Sequence, residues 1–297
     1  MRRTKDGRPY IWRDCPKCSA SGTQPSQKRP GRTVQCPACR GAGRTETPYS
    51  RVTSYIDVLD DKTKLAARDK RLVLLGAAQR PALLAGAADR DPDNAGDKAW
   101  LDRQAAIAFA TAGGNAKADR GTWMHGLSER VDQKLELPPA TSFHDVLDMD
   151  AYRATTQPVY TAVLHLEQLI VLDELKVAGT PDRVITYSGP GPDGQPFTAN
   201  VIADLKTGSI TWTALKIAMQ LAIYARGHLY DPATGHRQPL PDVSHDWGLV
   251  VHLPAGSAIC TLHWANLQLG WQAVQLARQV RSIRRQGLGA LTAVVTK

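Results

Sequence analysis

Asp182, Asp204 and Lys206 are the residues whose types and spacing point most directly to chemistry. Residues 178–225 read as two strands joined by a Gly/Pro-rich loop at 188–196 and followed by a helix. An antiparallel hairpin on that loop sets Asp182 of the first strand beside Asp204 of the second. Side chains alternate along a strand, so Asp204 and Lys206 share a face while Leu205 points the other way. Asp is depleted in strands, and close carboxylates repel unless something positive lies between them. A hard divalent cation meets that need, taking one or two carboxylates as ligands and filling its other positions with water and phosphate oxygens. Lys206 then stands near the attacking water or the phosphate.

A second set of residues is a metal signature of a different kind. Cys15-Pro-Lys-Cys18 and Cys36-Pro-Ala-Cys39 are two C-x-x-C knuckles separated by seventeen residues, within the window for a four-cysteine zinc site. Each pair spans a tight turn that offers two sulfurs to one tetrahedral ion, and bound Zn²⁺ stabilises a module too small for a core. Disulfide pairing is the competing reading, disfavoured in a chain that looks cytosolic. The fifth cysteine, Cys260, falls in the expected strand at 258–264 and is assigned to the core.

The first set of residues resembles a known family, the PD-(D/E)XK nucleases, in particular the RecB-like and Cas4-like exonucleases that phages also carry. The matching pieces are Gly179-Thr180-Pro181-Asp182-Arg183, Asp204-Leu205-Lys206-Thr207-Gly208 and the Gln220 to Tyr224 segment. A fourth piece, Arg120-Gly121-Thr122-Trp123-Met124-His125, is similar to the family's helical histidine motif. Together they cover about residues 50–280. The resemblance implies an α/β fold with a restriction-endonuclease-like core, a mixed central sheet flanked by helices, and a one- or two-metal phosphodiesterase using Mg²⁺ or Mn²⁺. It carries the roles of metal ligand to His125, Asp182, Asp204 and the Leu205 carbonyl, and that of positioning or helping to deprotonate water to Lys206. Gln220 and Tyr224, four apart on one helical face, match residues placed beside the site. Glu167 stands where many relatives carry an acidic residue, with Glu174 competing for the same role. Some Cas4-like relatives hold an iron–sulfur cluster with one cysteine before the nuclease domain and three after; here all four precede it, which favours zinc. Gly41-Ala42-Gly43 resembles the turn in the zinc-binding repeats of DnaJ-type chaperones.

The activity so implied is a DNA exonuclease in phage-type recombination or repair, working in the cytoplasm (the host's, if phage-encoded), with a single-strand annealing or other recombination protein as a partner. The alternative is a DNA-binding or recombination scaffold whose nuclease core is inactive. A third reading makes the zinc module a protein-docking element.

Elements that must position these groups follow from pattern. Helices are expected over residues 64–78, 97–112, 119–133, 212–229 and 265–286, and strands over 168–172, 247–252 and 258–264. Helix 119–133 carries His125; the other seven histidines are assigned to surface or core. With 297 residues the chain accommodates a basic zinc-ribbon-like module at 1–48 and a nuclease domain at 49–297. No segment approaches the roughly 18 apolar residues that span a bilayer and the start has no apolar leader, so no membrane partner is expected. The net charge of +9 is concentrated in residues 1–48, where eleven Lys/Arg face three Asp/Glu. Four zinc-bound thiolates would lower that local excess only by about 2, which still favours a polyanion. Arg278, Arg281, Arg284 and Arg285 near the C-terminus form a smaller basic cluster, suited to phosphates or to solvent.

Overall fold

The structure, a computed structural model, describes residues 3–27 and 29–291. Arg2 and Lys28, counted among the N-terminal cations, lie outside the described residues.

The N-terminal module consists of β1 (Tyr10–Asp14), β2 (Thr23–Pro25), β3 (Thr33–Gln35) and β4 (Arg44–Pro48), with β1 paired antiparallel to β4 and β2 to β3. The two cysteine knuckles brace each other, because Cys15 N–H donates to the Gly43 carbonyl and Cys36 N–H to the Gly22 carbonyl, both at 2.8 Å. Both glycines have positive φ, and a Cβ would lie 2.4 Å from the Gly41 oxygen at Gly22 and 2.3 Å from the Ala20 oxygen at Gly43. No side chain fits either position. All four cysteines are buried against one another.

Next come β5 (Ser50–Arg51), α1 (Val52–Ile56), α2 (Thr63–Gln79) and α3 (Ala95–Thr111). Asn94 caps α3 through its side chain, and Gly76 lets α2 approach the Ala108 carbonyl of α3. α4 (Ala116–Asp132) and α5 (Phe143–Thr156) precede β6 (Tyr160–Leu166), β7 (Ile170–Leu172), β8 (Val177–Gly179), β9 (Arg183–Pro190) and β10 (Pro196–Lys206). α6 (Ala214–Ala225), β11 (His228–Tyr230), β12 (Arg237–Pro239), β13 (Trp247–His252), β14 (Thr261–Asn266) and α7 (Leu267–Gln286) complete the chain. No helix among the described residues is long and apolar enough to cross a membrane.

These elements form a mixed α/β fold with two five-stranded mixed sheets, ordered β14-β13-β10-β9-β6 and β12-β11-β7-β8-β5. Within the first, β10 is parallel to β13 and antiparallel to β9. α6 is apolar nearly all round, and its Ile217, Leu221 and Ile223 join residues of both sheets and of α7 in the largest core. α4 and α5 form a second core with Leu205, Val251 and Leu253 on the other face of the first sheet. The alternation along β10 therefore sends Leu205 to α4 and α5, and Asp204 and Lys206 to the α6 side.

Several expected boundaries move. Residues 178–190 are not one strand: β8 belongs to one sheet and β9 to the other, and Thr180, Pro181 and Asp182 make the crossing. Proline has no N–H to give a ladder, which suits it to that gap. The helix expected to reach 229 stops at Ala225, because Gly227 lies against Ile170 and β11 then pairs with β7. Sequence pattern marks no strand where β6 lies, and β14 begins at Thr261 rather than 258.

Arg183 ties the crossing to α4. Its side chain is fully buried, with Nε donating to Asp132 Oδ2 at 2.8 Å and Nη2 to Ser128 Oγ at 2.9 Å. Tyr152 of α5 donates its hydroxyl to the same Asp132 carboxylate at 2.8 Å. Removing one partner of a buried ion pair strands the other's charge, at a cost of about 3–5 kcal/mol. Arg183→Met should therefore lower the urea midpoint by an amount corresponding to about 3–5 kcal/mol, and adding Asp132→Asn should recover part of the loss. An unchanged midpoint for Arg183→Met would show that the pair does not hold α4 to the sheet.

Candidate metal centre at the crossing between the sheets

β10 runs past the last pair it makes with β9, Ala203 opposite Arg183, so the crossing residue Asp182 stands next to Asp204 in register. The Lys206 carbonyl accepts from Leu253 N–H at 2.9 Å, on the β13 side. Leu205 turns its N–H the opposite way and donates to Asp182 Oδ2 at 2.6 Å. The N–H and C=O of one strand residue point to the same side. The Leu205 carbonyl thus faces Asp182, where no strand continues.

Two further side chains close on Asp182. His125, on α4, places Nδ1 3.2 Å from Asp182 Oδ2. Glu167 follows β6 in a left-handed backbone conformation, φ 48°, pinned by its N–H donating to the Asp182 carbonyl at 3.0 Å. Ligating atoms of His125, Glu167 and Asp182 all lie within 4.8 Å of one another. Asp204 is outside that trio and forms an ion pair with Lys206. Glu174, the competitor of Glu167, instead pairs with Arg278 at 2.5 Å on an exposed turn. Tyr224 of α6 sits against Gly179 and hydrogen-bonds with Gln220, and its pKa is raised by burial and then by the charges of Asp204, Asp182 and Glu167.

Glu129 was not singled out from sequence. It lies one helical turn beyond His125, in an open groove of about 570 Å³ over α4 that includes His125 and Glu167. The i, i+4 spacing was the available signal. In the sequence Arg183 stands out only as the last residue of the Gly179–Arg183 motif, and nothing local distinguishes a buried arginine from an exposed one.

The electrostatics describe a site short of positive charge. Burial, then the Asp182 charge, pushes the Asp204 carboxyl up to about 6 despite Lys206. Burial, then Asp182 and Glu129, pushes Glu167 up to about 7. Burial works against ionising Asp182, but the His125 hydrogen bond and charge outweigh it and hold that carboxyl below its usual range. Burial likewise opposes charging His125, and Asp182 overcomes it, raising the imidazole. One imidazole and two carboxylates converge beside a turned-out carbonyl, a mixed nitrogen and oxygen donor set that could hold a metal ion.

The cysteine cluster passes its own geometric test. Cys15 and Cys36 sulfurs are 3.8 Å apart and those of Cys18 and Cys39 3.6 Å. A tetrahedral ion with metal–sulfur bonds of about 2.3 Å spaces its sulfurs by about 3.8 Å, so the four thiols could bind zinc. All five cysteines are free, Cys260 being half-buried and packed against the α4–α5 core.

A scan of the sequence against protein-family models finds no match, and a search of curated proteins likewise finds none.

A pH dependence follows from the two raised carboxyls. Their pKa values of about 6 and about 7 lie above the ordinary 3.8 and 4.5, so the metal-free fold favours the protonated forms and loses that contribution as pH rises through those values. Cation binding needs the ligands deprotonated. The rise in Tm caused by Mn²⁺ should therefore be small at pH 5 and grow toward pH 8, as read by differential scanning fluorimetry on zinc-loaded protein. An equal rise at both pH values would contradict a cation at this site.

Proposed function

We propose that the chain is a divalent-metal-dependent deoxyribonuclease with a PD-(D/E)XK-type core, acting as an exonuclease in DNA recombination or repair. The observation that carries the reading is the meeting of His125, Glu167 and Asp182 within 4.8 Å, next in register to the Asp204–Lys206 pair. The resemblance of the four motifs supports it, because the positions that the resemblance assigns to ligands and lysine lie at one crossing.

His125, Asp182 and Glu167 would hold Mg²⁺ or Mn²⁺, with Asp204 and the Leu205 carbonyl adjacent. When bound, such a cation would supply Lewis acidity for activating water and relieving charge on phosphate. The chain's own residues supply the rest. Lys206, with its side chain partly exposed, offers an ammonium at the edge of the site, where it can orient water or stabilise negative charge growing on the phosphoryl oxygens. Asp204 fixes that ammonium from its buried side. Tyr224 backs the crossing at Gly179. Arg183 anchors the adjoining residue to the helix of His125, keeping imidazole and carboxylate in register.

The cysteine module is assigned one Zn²⁺, bound by Cys15, Cys18, Cys36 and Cys39 as thiolates, with a structural role.

Lys206→Ala should lower the rate of DNA degradation by about 10²–10³ while leaving Tm in the presence of Mn²⁺ close to that of the unaltered protein. The assay is shortening of an end-labelled linear duplex with and without Mg²⁺, compared with a circular substrate. Undiminished degradation by Lys206→Ala would remove the lysine from the reaction. Binding of the duplex by the unaltered protein without any shortening would instead assign the chain to the DNA-binding scaffold reading.

A further inference from the structure

The N-terminal module does not hang from the fold by a linker. Ile11 and Tyr49 join Val171, Ala178 and Tyr230 in a shared apolar cluster, and Trp12 N–H donates to the Tyr230 hydroxyl at 2.8 Å. Between β1 and β4 on one side and the turns at 173–176 and 234–237 on the other lies a cleft of about 830 Å³. Its charged lining is Arg13, Arg44, Lys176 and Arg237 against Asp14 and Asp173.

The cations divide by what they already hold. Arg237 makes a two-pronged pair with Asp173 at 2.6 and 3.0 Å and also donates to the Trp12 carbonyl, so it locks the module in place. Tyr49 donates to the same Asp173 carboxylate, which leaves that charge fully engaged. Arg44 stacks on the Trp12 ring at 4.9 Å and donates to the Thr234 carbonyl. The Arg13 and Lys176 side chains make no hydrogen bond or ion pair among the described residues, yet they line the same cleft. Once Arg237 and Asp173 cancel, three cations face one carboxylate.

We propose that this cleft is a second DNA-contact site, in which Arg13 and Lys176, with Arg44 behind them, grip backbone phosphates away from the metal-ligating group. A cleft of this volume, with cations on both walls, has room for more than one phosphate. Lys176 immediately precedes β8, and Asp182 lies six residues further on. At about 3.3 Å per residue the span to the metal-ligating group is at most about 20 Å. A duplex covers that distance in about six base pairs. The cleft thus holds DNA upstream or downstream of the point where the candidate metal centre meets it. The proposal rests on the preceding reading only in taking DNA as the ligand, and does not require that the DNA be cut.

The test is fluorescence anisotropy of a labelled 20-base-pair duplex against full-length, zinc-loaded protein across a NaCl series without added Mg²⁺ or Mn²⁺. Each phosphate neutralised contributes about 0.9 to the slope of log K against log salt. R13A/K176A should therefore lower the slope by about 2 and raise Kd, and R13K/K176R should restore the slope. K64A/R71A, which removes two exposed charges from α2, should leave the slope unaltered. Zinc content and Tm, measured on each variant, separate loss of contact from loss of fold. The proposal is overturned if R13A/K176A keeps the full slope, if the α2 variant loses as much, or if the unaltered protein shows no salt-dependent binding. Cleavage with Mn²⁺ is scored separately, so that binding through the cleft without cleavage defeats the nuclease reading alone.

Discussion

Where β8 of one sheet gives way to β9 of the other, Asp182 and Asp204 come side by side and buried, with the exposed Glu167 held close by. Against these three carboxyls the neighbouring elements offer an imidazole, one ammonium and the Arg183 guanidinium, the last already paired with Asp132. Burial first, and then the like charge of Asp182 at short range, raise the carboxyls of Asp204 and Glu167. Such an arrangement works against the metal-free fold, as sites built for a ligand often do. A cation held there would offset these charges, and the proposed function depends on this point.

The surrounding structure is what keeps the carboxyls from moving apart. Leu205 is clamped from two sides: its side chain is buried under α4 and α5, and its N–H is bound to Asp182. Arg183 performs the complementary task from the other strand, joining the crossing to Asp132 and Ser128 of α4, the helix that carries His125. α6 closes the other face with Tyr224 against Gly179. Three helices and two sheets therefore hold one short crossing, and small shifts in any of them change ligand spacing at the centre. The N-terminal module contributes from further away. Its knuckles are self-braced by Gly22 and Gly43, and its base is pinned by Arg237 and Asp173, so it presents its cations on a fixed platform.

Much of the candidate site was legible in the sequence because its signals are local. The D-x-K alternation on one strand, the two C-x-x-C turns and the helix around His125 each depend on residues within a few positions of one another. The helix expected over 97–112 begins two residues earlier, at Ala95, where the Asn94 side chain caps it. What local pattern did not carry is where strands go after they form. The break at Thr180-Pro181 looks like a continuous strand until β8 and β9 are seen in different sheets, and β11 looks like the end of α6 until it pairs with β7. The choice of Glu167 over Glu174 has the same origin: the two differ in their distant partners, Asp182 for one and Arg278 for the other. Glu129 and Arg183 likewise draw their meaning from contacts made across the fold.

The most direct measurement of the central claim is the anomalous diffraction signal of Mn²⁺ in crystals of the zinc-loaded protein. The account predicts a manganese peak at the crossing, within bonding distance, about 2.0–2.6 Å, of His125, Asp182 and Glu167 atoms. Full Mn²⁺ occupancy elsewhere, with His125 and the Asp182 carboxylate still bonded to each other and no peak between them, would contradict it.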